Sequence, residues 1–284
     1  MTISFIDTGL FKLDGGAMFG IVPRSLWQRL NAPDENNLCT WAMRCLLIET
    51  AGRRILVDTG IGDKQDARFR SFFHPHGEAS LLGSLAAKGL QAEDITDVLL
   101  THLHFDHVGG AVRRDDKGRL VPTFPNATYW TNDRHWQWAT DPNPREAASF
   151  LPENILPLQE HGVLEFLDVQ KDDLPWLPGI RLRYVYGHTE AMMLPIIEQD
   201  GRTLAYCADL IPSSFHLGMP YVMAYDVRPL DTLAEKGRLL EEALAGDWVL
   251  SFEHDPGTGA GKLVKNEKGR IGLGISAGLA ELGW

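Results

Sequence analysis

The sequence predicts an α/β fold in which helices cover the faces of β-sheet, and three observations point to it. Short apolar, β-branched or aromatic runs of strand length recur through both halves of the chain. Segments of helical spacing lie between them. No linker, low-complexity tract or short-period repeat breaks the pattern, so residues 1–284 are expected to form a single domain.

In order along the chain, strands are expected at Ala42–Thr50 and Arg54–Asp58, joined at Ala51-Gly52 by a hairpin turn. Further strands are expected at Asp97–Thr101, Ala127–Thr131, Ile180–Tyr186, Met193–Ile197, Thr203–Cys207 and Asp247–Phe252. Helices are expected at Glu78–Lys88, Asn132–Thr140 and Asp231–Ala245. The last carries Leu233, Leu240 and Leu244 at helical spacing, with Asp231 placed to cap or precede its first turn. Two stretches fit no regular element: Asp14–Asn37, rich in Gly, Pro and large apolar residues, and Leu210–Arg228. Long connections of this kind are either surface packing or functional loops.

Composition narrows the function. The formal charge of −11 repels phosphate backbones and anionic membranes, so neither nucleic acid nor a membrane is the expected partner. No run approaches the roughly 20 apolar residues of a membrane span, and the first residues lack the basic and apolar regions of a signal peptide. Three cysteines without CxxC spacing imply no disulfide framework, and a reducing cytoplasmic location is expected. Cys39, Cys45 and Cys207 read most simply as core residues.

The decisive segment is Thr101-His102-Leu103-His104-Phe105-Asp106-His107-Val108-Gly109-Gly110. It follows Val98-Leu99-Leu100, so the cluster sits where a strand ends. His102 and His104 are two residues apart and point to one side of extended backbone. Asp106 and His107 follow at the turn into a helix. Imidazole and carboxylate together form the ligand set for zinc and similar divalent ions. With 10 histidines in the chain, the pattern HxHxDH arises by chance in roughly one such sequence per thousand.

Further ligand types close three later strands: His188 in Tyr186-Gly-His-Thr189, Asp209 after Ala205–Ala208, and His254 after Trp248–Phe252. Together they make five histidines and two aspartates, enough for two metals sharing one carboxylate. His74, His76, His135 and His161 have no partner at ligand spacing and read as structural or surface residues.

This order of motifs resembles the metallo-β-lactamase-fold hydrolase superfamily over nearly the whole chain, including the strand motif Val57-Asp58-Thr59-Gly60. The resemblance implies an αββα sandwich, two β-sheets flanked by helices, with metals at one sheet edge. It implies that His102, His104 and His188 hold one ion and that Asp106, His107 and His254 hold the other. Asp209 would bridge them, and Asp58 would support the site from behind the ligands. The segments Asp14–Trp27, Gly118–Trp130 and Met223–Pro229 are similar to the YtnP-like branch, regarded as quorum-quenching N-acyl-homoserine lactonases. Two departures stand out. Relatives often read Gly-His-Thr-Pro-Gly-His where this chain has Gly187-His-Thr-Glu-Ala-Met192, and their tyrosine three residues after the bridging aspartate is Pro212 here.

The implied reaction is opening of a lactone ring by attack of metal-activated hydroxide on the carbonyl. Asp106 and Asp209 are the catalytic carboxylates, with Asp106 a proton shuttle as well as a ligand. Zinc is the first expectation for both ions, with iron, manganese or cobalt as alternatives. Met18 and Phe19 in the first long segment, and Phe215, His216, Met219 and Tyr221 in the second, are candidate substrate contacts. A homodimer is the expected assembly. The same site supports phosphotriester or aryl-ester hydrolysis, the main alternative. A non-catalytic metal-binding or signalling protein is the alternative of a different class.

Overall fold

The computed structural model describes residues 1–171 and 173–284. The chain is mixed α/β and divides into two compact units. One comprises Met1–Leu10 with Met43–Val169, the other Phe11–Ala42 with Gln170–Trp284.

A six-stranded sheet runs in the order Thr2–Asp14, Leu38–Thr50, Arg53–Val57, Asp97–Leu99, Thr128–Asn132, Leu164–Leu167. Its hairpin turns at Ala51 and Gly52, both at positive φ (46° and 77°), the geometry that matches strand twist in a two-residue loop. Beyond the hairpin the strands pair parallel, so their C-terminal ends open on the same edge. Ile6, Leu47, Leu56, Val98, Leu103, Val108 and Tyr129 are among the buried residues that form the core of this unit. Each fully buried aliphatic side chain contributes about 1.5–3 kcal/mol.

In the other unit a seven-stranded sheet runs Ile271–Ser276, Ala260–Lys265, Val249–Ser251, Arg202–Tyr206, Met192–Gln199, Ile180–Val185, Leu174–Leu177. Its one described parallel pair, Arg202–Tyr206 with Val249–Ser251, has helix Pro229–Ala245 within its crossover. That helix starts at Pro229, a residue suited to a first helical turn, and Asp231 lies inside the turn rather than capping it. Its buried stripe is Thr232, Lys236, Leu239, Leu240 and Ala243, shifted from the leucine series that the sequence suggested.

The expected strands and helices are all present, with ends moved by at most four residues. The strands Thr2–Asp14, Leu164–Leu167, Leu174–Leu177, Ala260–Lys265 and Ile271–Ser276 add to them, as do helices Ala67–Phe73 and Pro152–Glu160. The first irregular stretch holds two short helices, Gly15–Phe19 and Arg24–Trp27. Asp14 caps the first of them, accepting from Ala17 N at 2.8 Å.

Candidate metal centre

In the first unit, the donors lie just beyond strand Asp97–Leu99. Leu103 points into the core, and its N–H donates to His135 Nε2 at 2.8 Å, which leaves His102 and His104 on the opposite side. Their rings are buried, with His102 Nε2 only 3.1 Å from His104 Nδ1. The remaining nitrogens face oxygens: Thr101 Oγ1 lies 3.1 Å from His102 Nδ1, and Glu146 Oε1 lies 3.4 Å from His104 Nε2. Two nitrogens whose ring partners face oxygens therefore converge. That is the arrangement a cation fits.

The helix Phe105–Val108 follows, carrying Asp106 in its first turn. His107 Nδ1 lies 3.2 Å from Asp58 Oδ2, and its Nε2 lies 3.9 Å from Asp106 Oδ2. Asp58, at φ 59°, is fixed in the left-handed region by accepting from Thr101 N at 2.8 Å and from Thr101 Oγ1 at 2.7 Å. The two glycines after the motif are steric necessities. A Cβ on Gly109 would lie 2.1 Å from Ile61 O, and one on Gly110 would lie 2.3 Å from Thr59 O. That close approach lets Thr59 N and Oγ1 both donate to His107 O, each at 2.8 Å.

In the second unit, Asp209 lies between two histidines. His188 Nε2 is 3.2 Å from Asp209 Oδ2, and His254 Nε2 is 3.0 Å from Asp209 Oδ1. His254 Nδ1 donates to Ala42 O at 2.7 Å, and His188 Nδ1 pairs with Asp226 Oδ1 at 2.8 Å. A carbonyl can only accept, so Nδ1 of His254 carries the proton, and a neutral ring turns the Nε2 lone pair to the carboxylate. With the ring neutral, the two acceptors lie 3.0 Å apart, a spacing at which one cation would satisfy both. The chemistry of the donor set and its orienting partners both fit divalent metal ions.

A family model for the metallo-beta-lactamase superfamily matches residues 44–254. The chain belongs to the metallo-beta-lactamase superfamily. Among the superfamily's curated members it is 26% identical to an N-acyl homoserine lactonase of Bacillus cereus, covering 82% of this chain and 84% of that one. Its structure is similar to the crystal structure of a probable metal-dependent hydrolase from Staphylococcus aureus, with a TM-score of 0.86 and 28% identity over 97% of this chain and 96% of that one. The dizinc quorum-quenching lactonase AidC shares the fold, with a TM-score of 0.77 at 22% identity, covering 97% of this chain and 94% of that one. As a member of this superfamily the chain is a metal-dependent hydrolase that uses divalent metal. Among the described residues no helix is long and apolar enough to cross a membrane.

The candidate substrate contacts divide. Met18 and Phe19 are buried, and Phe19 stacks between Trp27 and His216 at ring separations of 5.2 and 5.0 Å. His216 donates or accepts through both nitrogens, at 2.7 Å to Ser213 Oγ and 2.9 Å to Met18 O. Burial pushes its pKa down to about 4, so the ring is neutral and holds the loop together. These three residues pack the second unit. Met219 is exposed and Phe215 and Tyr221 half-buried, so they keep surface for a ligand.

Glu146, Asp226, Thr101 and Lys236 have site-positioning contacts that the sequence did not reveal. Lys236 is buried in its helix and donates from Nζ to the carbonyls of His216, Gly218 and Tyr221 at 3.1, 3.0 and 2.8 Å. Thr101 lies within the histidine-rich motif Thr101–Gly110 and Asp226 within Met223–Pro229, but neither segment shows which ring its side chain meets. All three cysteines are buried, and desolvation pushes the Cys207 thiol up. His74, His76 and His161 are exposed.

Proposed function

We propose that this hydrolase opens lactone rings of the N-acyl-homoserine type, with residues 1–284 working as one catalytic domain. The observation that carries the reading is the set of buried histidines whose outer nitrogens are held by Thr101, Glu146, Asp58, Asp226 and Ala42 O. The lactonase relatives supply the substrate class. In this reading His102, His104 and His188 hold one zinc ion, Asp106, His107 and His254 hold a second, and Asp209 is shared. When bound, such ions acidify water and polarise an ester carbonyl.

The chain's own groups then have separate tasks. Asp106 takes up the proton released by the attacking water and returns it to the ring oxygen as the ester C–O bond breaks. The products are a carboxylate and an alcohol within one hydroxy acid, and the second proton of the water leaves to solvent. Asp58 and Asp226 keep His107 and His188 in the tautomer that turns the Nε2 lone pair toward Asp106 and Asp209. Phe215, Met219 and Tyr221 offer apolar contact to the acyl chain. Pro212 at the position of the relatives' tyrosine leaves substrate orientation to this loop. Ile21, Leu26 and Leu30 are exposed, which supports pairing of two copies through that segment. The reduced, buried cysteines suit the cytoplasm.

The test is proton release from N-acyl-homoserine lactones of short and long chain by zinc-loaded protein, with His104→Ala as control. Turnover lost in the control supports the reading. Absence of turnover in protein carrying two zinc ions refutes the lactonase assignment and redirects the search to phosphotriesters and aryl esters.

A further inference from the structure

The first unit contains a cavity of about 500 Å³ lined by none of the candidate metal ligands. Its volume falls in the range of sites for small organic ligands. Met43, Ile61, Leu81 and Val112 supply buried apolar walls. Three arginines, Arg70, Arg113 and Arg114, and one carboxylate, Asp63, also line it. In a chain with a net charge of −11, this is a local excess of positive charge.

The arginines are not equally committed. Arg114 is engaged by Glu153 at 3.4 Å and by Gly118 O at 3.1 Å. Arg70 makes one long contact, 3.4 Å to Gly62 O. Arg113 is exposed and forms no ion pair among the described residues. Inside the cavity wall, Thr123 is 3% exposed and its Oγ1 has no hydrogen-bond partner among the described residues. A buried hydroxyl without a partner is costly, and a ligand oxygen that meets it removes that cost.

We propose that this cavity is a second ligand site, for an aliphatic carboxylate. The hydrocarbon body lies against Met43, Leu81 and Val112, and the carboxylate is met by Arg113, Arg70 and the Thr123 hydroxyl. The site is independent of the lactonase reading. It borders Thr59, the residue that donates twice to His107 O, so an occupant touches the segment that carries a candidate ligand.

The experiment is a titration of metal-loaded, methyl-labelled protein with sodium octanoate, followed by NMR at Met43, Ile61, Leu81 and Val112. Saturable shifts at these methyls are expected, with 1-octanol, acetate and inorganic phosphate each at least about tenfold weaker, as expected when charge and hydrocarbon are both read. Arg113→Glu, on the surface, and Thr123→Val, nearly isosteric, should each weaken octanoate about tenfold. Octanol or phosphate binding as well as octanoate would overturn the proposal. So would affinity unchanged in both variants, or shifts confined to residues flanking His102–His107.

Discussion

Replacing Lys236 by methionine isolates one strut beneath the candidate substrate loop. The ammonium donates to three carbonyls of residues 216–221 from inside helix Pro229–Ala245. Hydrogen bonds from an ionised donor contribute about 2 kcal/mol each, roughly 6 kcal/mol for the set. Against this, burial pushes the amine's pKa from 10.5 down to about 8, a depression that costs the charged form about 3 kcal/mol. Methionine keeps the packing volume, loses the bonds and escapes the burial cost, so Lys236→Met should destabilise by about 3 kcal/mol. For a chain of this length that is a fall in Tm of about 6 °C. Hydrogen exchange should speed up at the amides of 216–221 before the rest of the unit, because the carbonyls on that loop lose their donor. A Tm within about 1 °C of wild type, with exchange unchanged, would refute the argument that the lysine holds the loop.

Other expectations follow from single contacts. Asp226→Ala should weaken zinc about 10–100-fold by freeing the His188 ring, and Asp226→Asn, which keeps an acceptor, should lose less; chelator competition measures both. Gly110→Ala places a Cβ 2.3 Å from Thr59 O, a backbone atom that cannot yield cheaply. It should cost about 3 kcal/mol in denaturant unfolding. His216 has a folded pKa of about 4 against an ordinary 6.5, so its neutral form's contribution is complete above pH 6.5. That contribution is lost progressively as pH falls from 6.5 to 4, the window in which the unfolded chain takes the proton and the folded one does not, an effect of about 3 kcal/mol. Unfolding at pH 7 and 4.5 should therefore show a smaller acid loss for His216→Gln than for wild type.

Much of the candidate metal centre is legible because its proposed ligands follow strands in a dense local pattern. HxHxDH needs no tertiary knowledge: alternation in extended backbone puts His102 and His104 together, as their 3.1 Å nitrogen separation bears out. The hairpin at 50–53 was legible for a similar reason, two β-branched runs separated by two residues able to adopt positive φ. The orienting shell was not. Asp226 meets His188 across 38 residues, and a lone carboxylate carries no spacing that says which ring it will reach. Lys236 reads as a solvated position, yet it lies in the buried stripe because three loop carbonyls solvate it there. Met18 and Phe19 show the reverse error of sign. Large apolar residues in an irregular stretch resemble a ligand groove, and the structure spends them on packing against Trp27 and His216. Strand Ile271–Ser276 was missed because alternating glycines hide a strand's apolar pattern.

Metal content per chain tests the central claim most directly. Zinc-loaded, desalted wild-type protein should carry two ions per chain, and Asp209→Ala, which removes the carboxylate between His188 and His254, should retain at most one. Wild type with a single ion, or Asp209→Ala still holding two with unchanged affinity, would contradict a shared-carboxylate dinuclear centre.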